Sequence, residues 1–394
     1  MTAVELKSGI YWVGAVDWDL RNFHGYSTNR GTTYNAYLIM DEKTVLVDTV
    51  KRPFFDEMLE KIRELTDPSK IDIVVANHVE MDHSGSLPEV LALAPRAELV
   101  CSPQGERGLA RHFKELRRFK AVRTGESIRI GRRSLVFHQM PMVHWPDSMA
   151  TYIPEEALLL PNDAFGQHIA SAARFDNCIE WGILREEAAK YYANIVLPYS
   201  EQVRNVLGAL RGLKIDMIGP SHGVIWRSRL REILAEYEKW SSQRTDARAV
   251  IVYDTMWGST EKIARALQKG LEESGAPVAL RCLRSCHISD VMTDVLESRL
   301  VLVGSPTLNS GPMPTVAAFL SYMRGLRPAG RLGMAFGSCG WGGQGAGEVE
   351  TVMKALGWEL PEPAINVRWV PGPEELASAR EAGRRLGARL KETA

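Results

Sequence analysis

Apolar residues recur along this chain with two periods, and the changes of period divide it into elements. Short β-branched or apolar runs predict strands within Gly9 to Val16 and Thr33 to Val50, separated by a polar loop from Asp17 to Thr32. From Pro53 to Leu65, the spacing of Phe54, Met58, Ile62 and Leu65 predicts a helix that Pro53 is suited to start. Ile71 to Val75 is apolar but for Asp72 and predicts a buried strand. After it come a short helix at Leu87 to Leu93, a strand at Glu98 to Ser102 and a basic amphipathic helix at Gly105 to Phe119. Ser127 to Gln139 and Met149 to Leu160 again have strand character. The alternation continues to Gly219, and a helix from Trp226 to Trp240 closes this part. Such a pattern suits a layered fold with helices outside paired sheets.

The polar stretch Ser241 to Asp246 separates that helix from a new hydrophobic strand, Ala249 to Tyr253, and places a domain boundary near residue 246. Beyond it strands at 249–253, 278–283, 300–304, 331–336 and near Ala364 to Val370 alternate with helices, the last from Pro373 to Thr393. Five strands alternating with helices describe an open, doubly wound parallel sheet. The expected domains are 1–246 and 247–394.

Length supports this division, because 394 residues, 45% of them hydrophobic, exceed one typical core. Lys plus Arg and Asp plus Glu are equal at 48 each, so no basic excess points to nucleic acid. No stretch approaches the roughly 20 apolar residues of a membrane span, and the first ten residues lack a signal-peptide core. Five scattered cysteines fit free thiols in a reducing compartment. The expectation is a soluble, cytoplasmic protein.

Candidate chemistry begins where the Ile71 to Val75 strand ends. His78, Glu80, Asp82 and His83 leave it within six residues, a mixed nitrogen and oxygen set suited to a divalent transition metal. His144 lies in Pro141-Met142-Val143-His144-Trp145-Pro146-Asp147, Asp163 follows a run of leucines, and His222 lies in Gly219-Pro220-Ser221-His222-Gly223. Each of these three follows a predicted strand, so all point to one edge of the sheets. His78, Glu80, Asp82, His144, Asp163 and His222 are more ligands than one tetrahedral ion uses, and they suit two ions with Asp163 between them. The carboxylate share favours iron or manganese over zinc.

The second part carries another signal. Tyr253 is followed by Asp254-Thr255-Met256-Trp257-Gly258-Ser259-Thr260, a hydroxyl-containing turn before a helix and a cradle for one phosphate. Neither a Gly-x-Gly-x-x-Gly fingerprint nor a Gly-Lys-Ser/Thr loop is present at that turn. Two further loops follow strands: Ser305-Pro306-Thr307-Leu308-Asn309, and Gly337-Ser338-Cys339-Gly340-Trp341-Gly342, where Trp341 can stack on a planar ring. Cys339 is read as a small side chain beside that ring, and Cys282-x-x-x-Cys286-His287 as structural.

His-x-Glu-x-Asp-His, followed by His-Trp-Pro-Asp, Asn-Asp-Ala-Phe-Gly-Gln-His and Ser-His-Gly, resembles the flavodiiron proteins, or A-type flavoproteins, and the likeness spans essentially the whole chain. It implies an N-terminal metallo-β-lactamase-like αββα sandwich and a C-terminal flavodoxin-like domain that binds FMN through the three loops just named. It also implies one iron held by His78, Glu80 and His144, another by Asp82 and His222, and Asp163 bridging. His83 is implied to stay off the metals as an outer hydrogen-bonding group. His24, Tyr26 and a tyrosine of the pair Tyr191-Tyr192, carried over as Tyr192, are implied near the pocket. The implied activity passes electrons from a separate donor, such as rubredoxin or a reduced deazaflavin, through FMN to the irons, reducing O2 to water or NO to N2O. The implied assembly is a head-to-tail homodimer, which can pair into a tetramer. The rival expectation is a dinuclear zinc hydrolase of metallo-β-lactamase type.

Overall fold

The computed structural model describes residues 2–116 and 118–392. The chain forms two compact units. The first takes in the chain up to His24, Thr28–Tyr191 and Glu201–Glu238; the second takes in Gly25–Ser27, Tyr192–Ser200 and the chain from Lys239 onward.

In the first unit, seven strands pair in chain order: β1 (Val4–Lys7), β2 (Ile10–Trp12), β3 (Tyr37–Met40), β4 (Thr44–Val47), β5 (Ile71–Ala76), β6 (Glu98–Cys101) and β7 (Phe119–Ala121). A second sheet of five is also in chain order: β8 (Ser127–Arg129), β9 (Ser134–Gln139), β10 (Met149–Ile153), β11 (Leu158–Leu160) and β12 (Met217–Ile218). Side chains alternate across a strand, and that alternation sorts two cores. Val45, Val47, Ile73, Val75 and Val100 point one way and join Leu135, Phe137, Met149, Ile153, Leu158 and Leu160 from the second sheet. Their neighbours Leu46, Val74, Ala76, Leu99 and Cys101 point the other way. They meet Met58 and Ile62 of α1 (Phe55–Leu65), then, beyond the single turn α2 (Met81–Ser84), Leu87 and Val90 of α3 (Leu87–Leu93) and Leu109 of α4 (Pro103–His112). Each fully buried Val, Leu or Ile contributes about 1.5–3 kcal/mol, so both faces of the first sheet are strongly held.

Two helices differ from expectation. The basic helix ends at His112, because Phe113 turns extended into the same core as Leu109 and Phe119–Ala121 is drawn into the sheet as a parallel partner of β6. The helix expected from Trp226 starts only at Leu230. Trp226 instead exchanges backbone hydrogen bonds with Ile218, and the Asp176 carboxylate accepts from the Ser228 and Arg229 N–H groups just before the helix. Helices α5 (Trp181–Tyr191) and α6 (Ser200–Leu210) precede this one, α7 (Leu230–Ser241).

The second unit holds five strands: β13 (Asp246–Tyr253), β14 (Val278–Cys282), β15 (Ser298–Pro306), β16 (Leu332–Cys339) and β17 (Ile365–Arg368). They pair in the order β14-β13-β15-β16-β17, all parallel, so the doubly wound expectation holds. Its helices are α8 (Ser259–Glu273), α9 (Ile288–Glu297), α10 (Pro314–Leu326), α11 (Gln344–Ala355) and α12 (Pro373–Glu392); Thr393, expected to end the last, lies outside the described residues. His287 caps α9 through its ring Nδ1, which accepts from the Ser289 N–H at 3.2 Å, so the histidine of the Cys282-Cys286-His287 motif has a structural use.

Helices α8 and α12 meet backbone to backbone through glycines. A Cβ on Gly270 would lie 1.9 Å from the Arg380 carbonyl oxygen, and one on Gly383 would lie 2.4 Å from that of Leu267. Gly270→Val should therefore lower stability to urea by about 1–3 kcal/mol, the usual cost of overpacking. Metal content should be unaffected, since the candidate ligands are in the other unit. An unchanged unfolding midpoint would contradict this contact.

Candidate functional site

Strand direction gathers the candidate ligands. β9, β10 and β11 alternate antiparallel and β12 is parallel to β11, so β9, β11 and β12 all run the same way. The loops leaving them carry His144, Asp163 and His222, while the loop leaving β5 carries His78 to His83. These loops bring His78, Glu80, His144 and Asp163 into one group and Asp82, His83 and His222 into a second.

Asp163 faces both groups with different atoms. Its Oδ2 lies 3.6 Å from His78 Nε2 and 3.2 Å from His144 Nε2, and each of those nitrogens is 3.4 Å from Glu80 Oε2. Its Oδ1 lies 3.4 Å from His222 Nε2 and 3.1 Å from His83 Nε2; Asp82 Oδ2 is 3.2 Å from the former and 3.5 Å from the latter. Ligand atoms about 2.0–2.2 Å from a shared ion stand roughly 3.0–3.5 Å apart, so both groups have the spacing of coordination shells. The four oxygens of Asp82 and Asp163 are buried and take part in no well-formed hydrogen bond despite these approaches. Lone pairs left without donors inside a protein are costly, and cations between them would satisfy them. The residues therefore fit a pair of metal ions.

Neighbouring hydrogen bonds set which nitrogen faces inward. His78 Nδ1–H donates to Asp147 Oδ2 at 2.9 Å, and the same oxygen accepts from the Val79 N–H. His222 Nδ1–H donates to the Thr33 carbonyl at 2.6 Å. In both rings Nε2 is left to face the pocket as a ligand atom. Beneath the loops, the buried Asp48 carboxylate accepts from the Asn77 N–H, the Asn77 side chain and the Asn162 side chain, tying together the residues that precede His78 and Asp163.

Burial alone would keep the three carboxylates neutral, but the imidazoles around them win. His83 and His144 hold Asp163 well below the usual carboxylate range, His144 and His78 do the same for Glu80, and His83 and His222 for Asp82. Three negative charges thus converge on one closed space, nearly offsetting two divalent cations. Burial also opposes protonation of His83, yet Asp82 and Asp163 push it up to about 9.

Among the outer residues, His24 stands at the mouth, its side chain 75% exposed and its Nε2 3.4 Å from Glu80 Oε1. Tyr26 is buried on a segment that packs with α9 of the second unit. Tyr192 requires a correction. The helix loosens into a π-turn at Tyr192–Val196, which carries the Tyr192 hydroxyl to Ser200 and its ring to Trp240. Tyr191, the last residue of α5, lies beside the site instead, its ring centroid 5.0 Å from His168 and 6.1 Å from His222; burial and Asp163 raise its pKa well above normal. Sequence reasoning also passed over His168 and Asp147. His168 packs on His222 and bonds Thr32 Oγ1 at 2.8 Å. Both stand inside motifs singled out above, so proximity to the ligands was the available signal.

In the second unit, a cavity of about 340 Å³ opens beyond the carboxyl ends of β13, β15, β16 and β17, where the strand order reverses. Met256, Trp257, Ser259, Pro306, Thr307, Asn309, Ser338, Cys339, Gly340, Trp341 and Gly342 line it, together with Trp369, which sequence reasoning missed. Thr255, Gly258, Thr260, Ser305, Leu308 and Gly337 frame it from behind: Thr255 Oγ1 accepts from the Gly258 N–H, Thr260 bonds Ser338, and the Ser305 hydroxyl accepts from the Met313 N–H. Gly258, at φ +85° with open space where a Cβ would stand, leads into the N-terminus of α8, whose unpaired N–H groups suit a phosphate. Trp257, Trp341 and Trp369 are 93%, 89% and 65% exposed, an aromatic rim that a flat ring would cover. These features fit FMN.

The family model described as ODP family beta lactamase matches residues 32–223, and the flavodoxin model matches residues 251–383. A nitric oxide reductase from Moorella thermoacetica is 48% identical over 393 residues, 98% of each chain. A rubredoxin-oxygen oxidoreductase from Megalodesulfovibrio gigas is 38% identical over 398 residues, 99% of each. The solved flavodiiron protein from Giardia intestinalis superposes with a TM-score of 0.97 at 35% identity, covering 100% of this chain and 97% of that one.

The Asp147 contact makes a prediction. Asp147→Ala frees His78 to rotate and should weaken metal binding about 10–100-fold, read by competition with a chelator. Unchanged affinity would show that Asp147 does not orient the ring.

Proposed function

Because this chain belongs to the flavodiiron proteins, we propose that it is an oxidoreductase taking electrons from a separate reduced donor, through FMN, to a non-haem diiron centre that reduces O2 to water, NO to N2O, or both. The observation that carries this reading is Asp163, whose two oxygens face separate clusters of histidine and carboxylate. Its cofactors are FMN and two irons: the flavin supplies electron storage in pairs, and the metal pair supplies redox-active positions for a small gas.

The chain's own residues hold and shape these sites. His78, Glu80 and His144 would hold one iron and Asp82 and His222 the other, Asp163 would be shared by both, and His83 would stay outside as a partner to Asp163. Glu80 adds a carboxylate to the ligand set, which favours iron over zinc. His24 and Tyr191 border the place where gas would bind. Residues 1–246 do this work, and 247–394 hold the flavin. The oxidoreductase names of the relatives set aside the zinc-hydrolase expectation.

The donor is a rubredoxin or a reduced deazaflavin, and the protein works in the cytoplasm, where its five free thiols stay reduced. Among the described residues, no helix is long and apolar enough to cross a membrane. The assembly is a head-to-tail homodimer, in which the flavin of one subunit serves the irons of the other. One preparation tests these points together. Purified protein should contain about two irons and one FMN per chain and sediment as a dimer or tetramer. Two zincs without flavin would refute the reading, and an active monomer would refute the assembly.

A further inference from the structure

Helix α5 carries a buried acid that nothing above uses. Glu187 sits one turn before Tyr191, its side chain 6% exposed. Its Oε1 accepts from Arg30 Nε at 3.0 Å, while its Oε2 is buried without a hydrogen-bond partner. On the outer side, the Arg30 side chain is 43% exposed and its Nη2 lies 3.9 Å from Glu186, which is 66% exposed. On the inner side, the buried Lys190 is close enough to act electrostatically on both Glu187 and His168. Two parallel tracks lead inward from Glu187. One is the helix itself, which reaches Tyr191 and so His168 after one turn, about 5.4 Å. The other is the short backbone link from Arg30 through Gly31 to Thr32, whose hydroxyl bonds His168 Nδ1 at 2.8 Å and lies 3.3 Å from His222 Nδ1.

We propose that Glu187 is the proton-uptake residue of this enzyme, the carboxyl group through which protons pass from the surface at Arg30 and Glu186 to the buried gas-reducing pocket. The inference rests on the proposed function, which needs such a route. Each O2 reduced to two waters consumes four protons with its four electrons, and each pair of NO reduced to N2O and water consumes two protons with two electrons. On the inner side of the cluster, the Asp82, Asp163 and His222 side chains are at most 4% exposed, and protons reaching them need a route through the protein. In each cycle the Glu187 carboxylate takes a proton from water on the Arg30 side, releases it inward past Lys190 and Tyr191, and returns to the carboxylate; the electrons come from the donor through FMN.

The environment matches that duty. Burial raises the Glu187 pKa, and Lys190 and Arg30 limit the rise, leaving it at about 7, so the group exchanges protons at working pH. The charged groups facing it are Lys190 and Glu186 on its own helix and Arg30 in the turn that precedes Thr32.

The test is Glu187→Gln in the FMN- and iron-loaded protein. The variant should keep wild-type iron and FMN content but lose roughly tenfold or more in the rate at which O2 reoxidises its photoreduced flavin. The wild-type rate should fall as pH rises through about 7, and the variant should lose that dependence, with Glu187→Asp recovering part of both. Independently of turnover, infrared titration of wild type should show a protonated-carboxyl band disappearing near neutral pH and missing from Glu187→Gln. A loaded variant with the wild-type rate and pH profile, or a wild-type spectrum without that band, would overturn the inference. A wild-type protein without iron would instead overturn the proposed function, and the infrared band would still report on Glu187.

Discussion

The fold of the first unit depends on one electrostatic problem, which is how to keep three carboxylates ionised in a closed space. Glu80, Asp82 and Asp163 are held below their usual range only because four imidazoles stand within 3.1–3.6 Å of them. Such a cluster tolerates little movement. A group displaced by one ångström leaves a buried charge without its partner, at a cost of several kcal/mol. The two packed sheets provide that rigidity, because every ligand sits on a loop or turn leaving a strand whose side chains are locked in one of two cores. Asp48 adds a cross-tie below the loops, so the backbones carrying His78 and Asp163 are set by one carboxylate.

The second unit solves a different problem with a different economy. Its cavity has no charged lining residue, and a phosphate would meet the N-terminus of α8 and nearby hydroxyls. Three exposed tryptophans at the rim leave a ring-sized surface without a protein partner. Neutral donors suit a cofactor that must bind in more than one redox state, because no fixed charge opposes the change.

Much of this was legible in the sequence. Short apolar runs such as Ile71 to Val75 marked the strands, and the ligands follow strand ends, where topology alone brings them to one edge. The doubly wound sheet was readable from alternation because each helix must cross between parallel strands. What escaped has physical reasons. The basic residues after His112 have helical spacing, yet pairing with β6 outweighs local propensity and draws Phe119–Ala121 into the sheet. Tyr191 and Tyr192 are adjacent, and only the π-turn after α5 decides which ring meets His168. Trp369 lies in a segment without a motif, and its place at the cavity depends on the register of β17 with β16. Arg30 and Glu187 are 157 residues apart, so no local pattern announces their pairing.

The central claim is that Asp163 bridges two irons. Anomalous scattering at the iron edge from crystals of the loaded protein tests it most directly. The account predicts two iron peaks about 3.5–4 Å apart, one beside each Asp163 oxygen, with His78 and His144 near the first and His222 near the second. A single peak, or an Asp163 whose two oxygens approach the same ion, would contradict it.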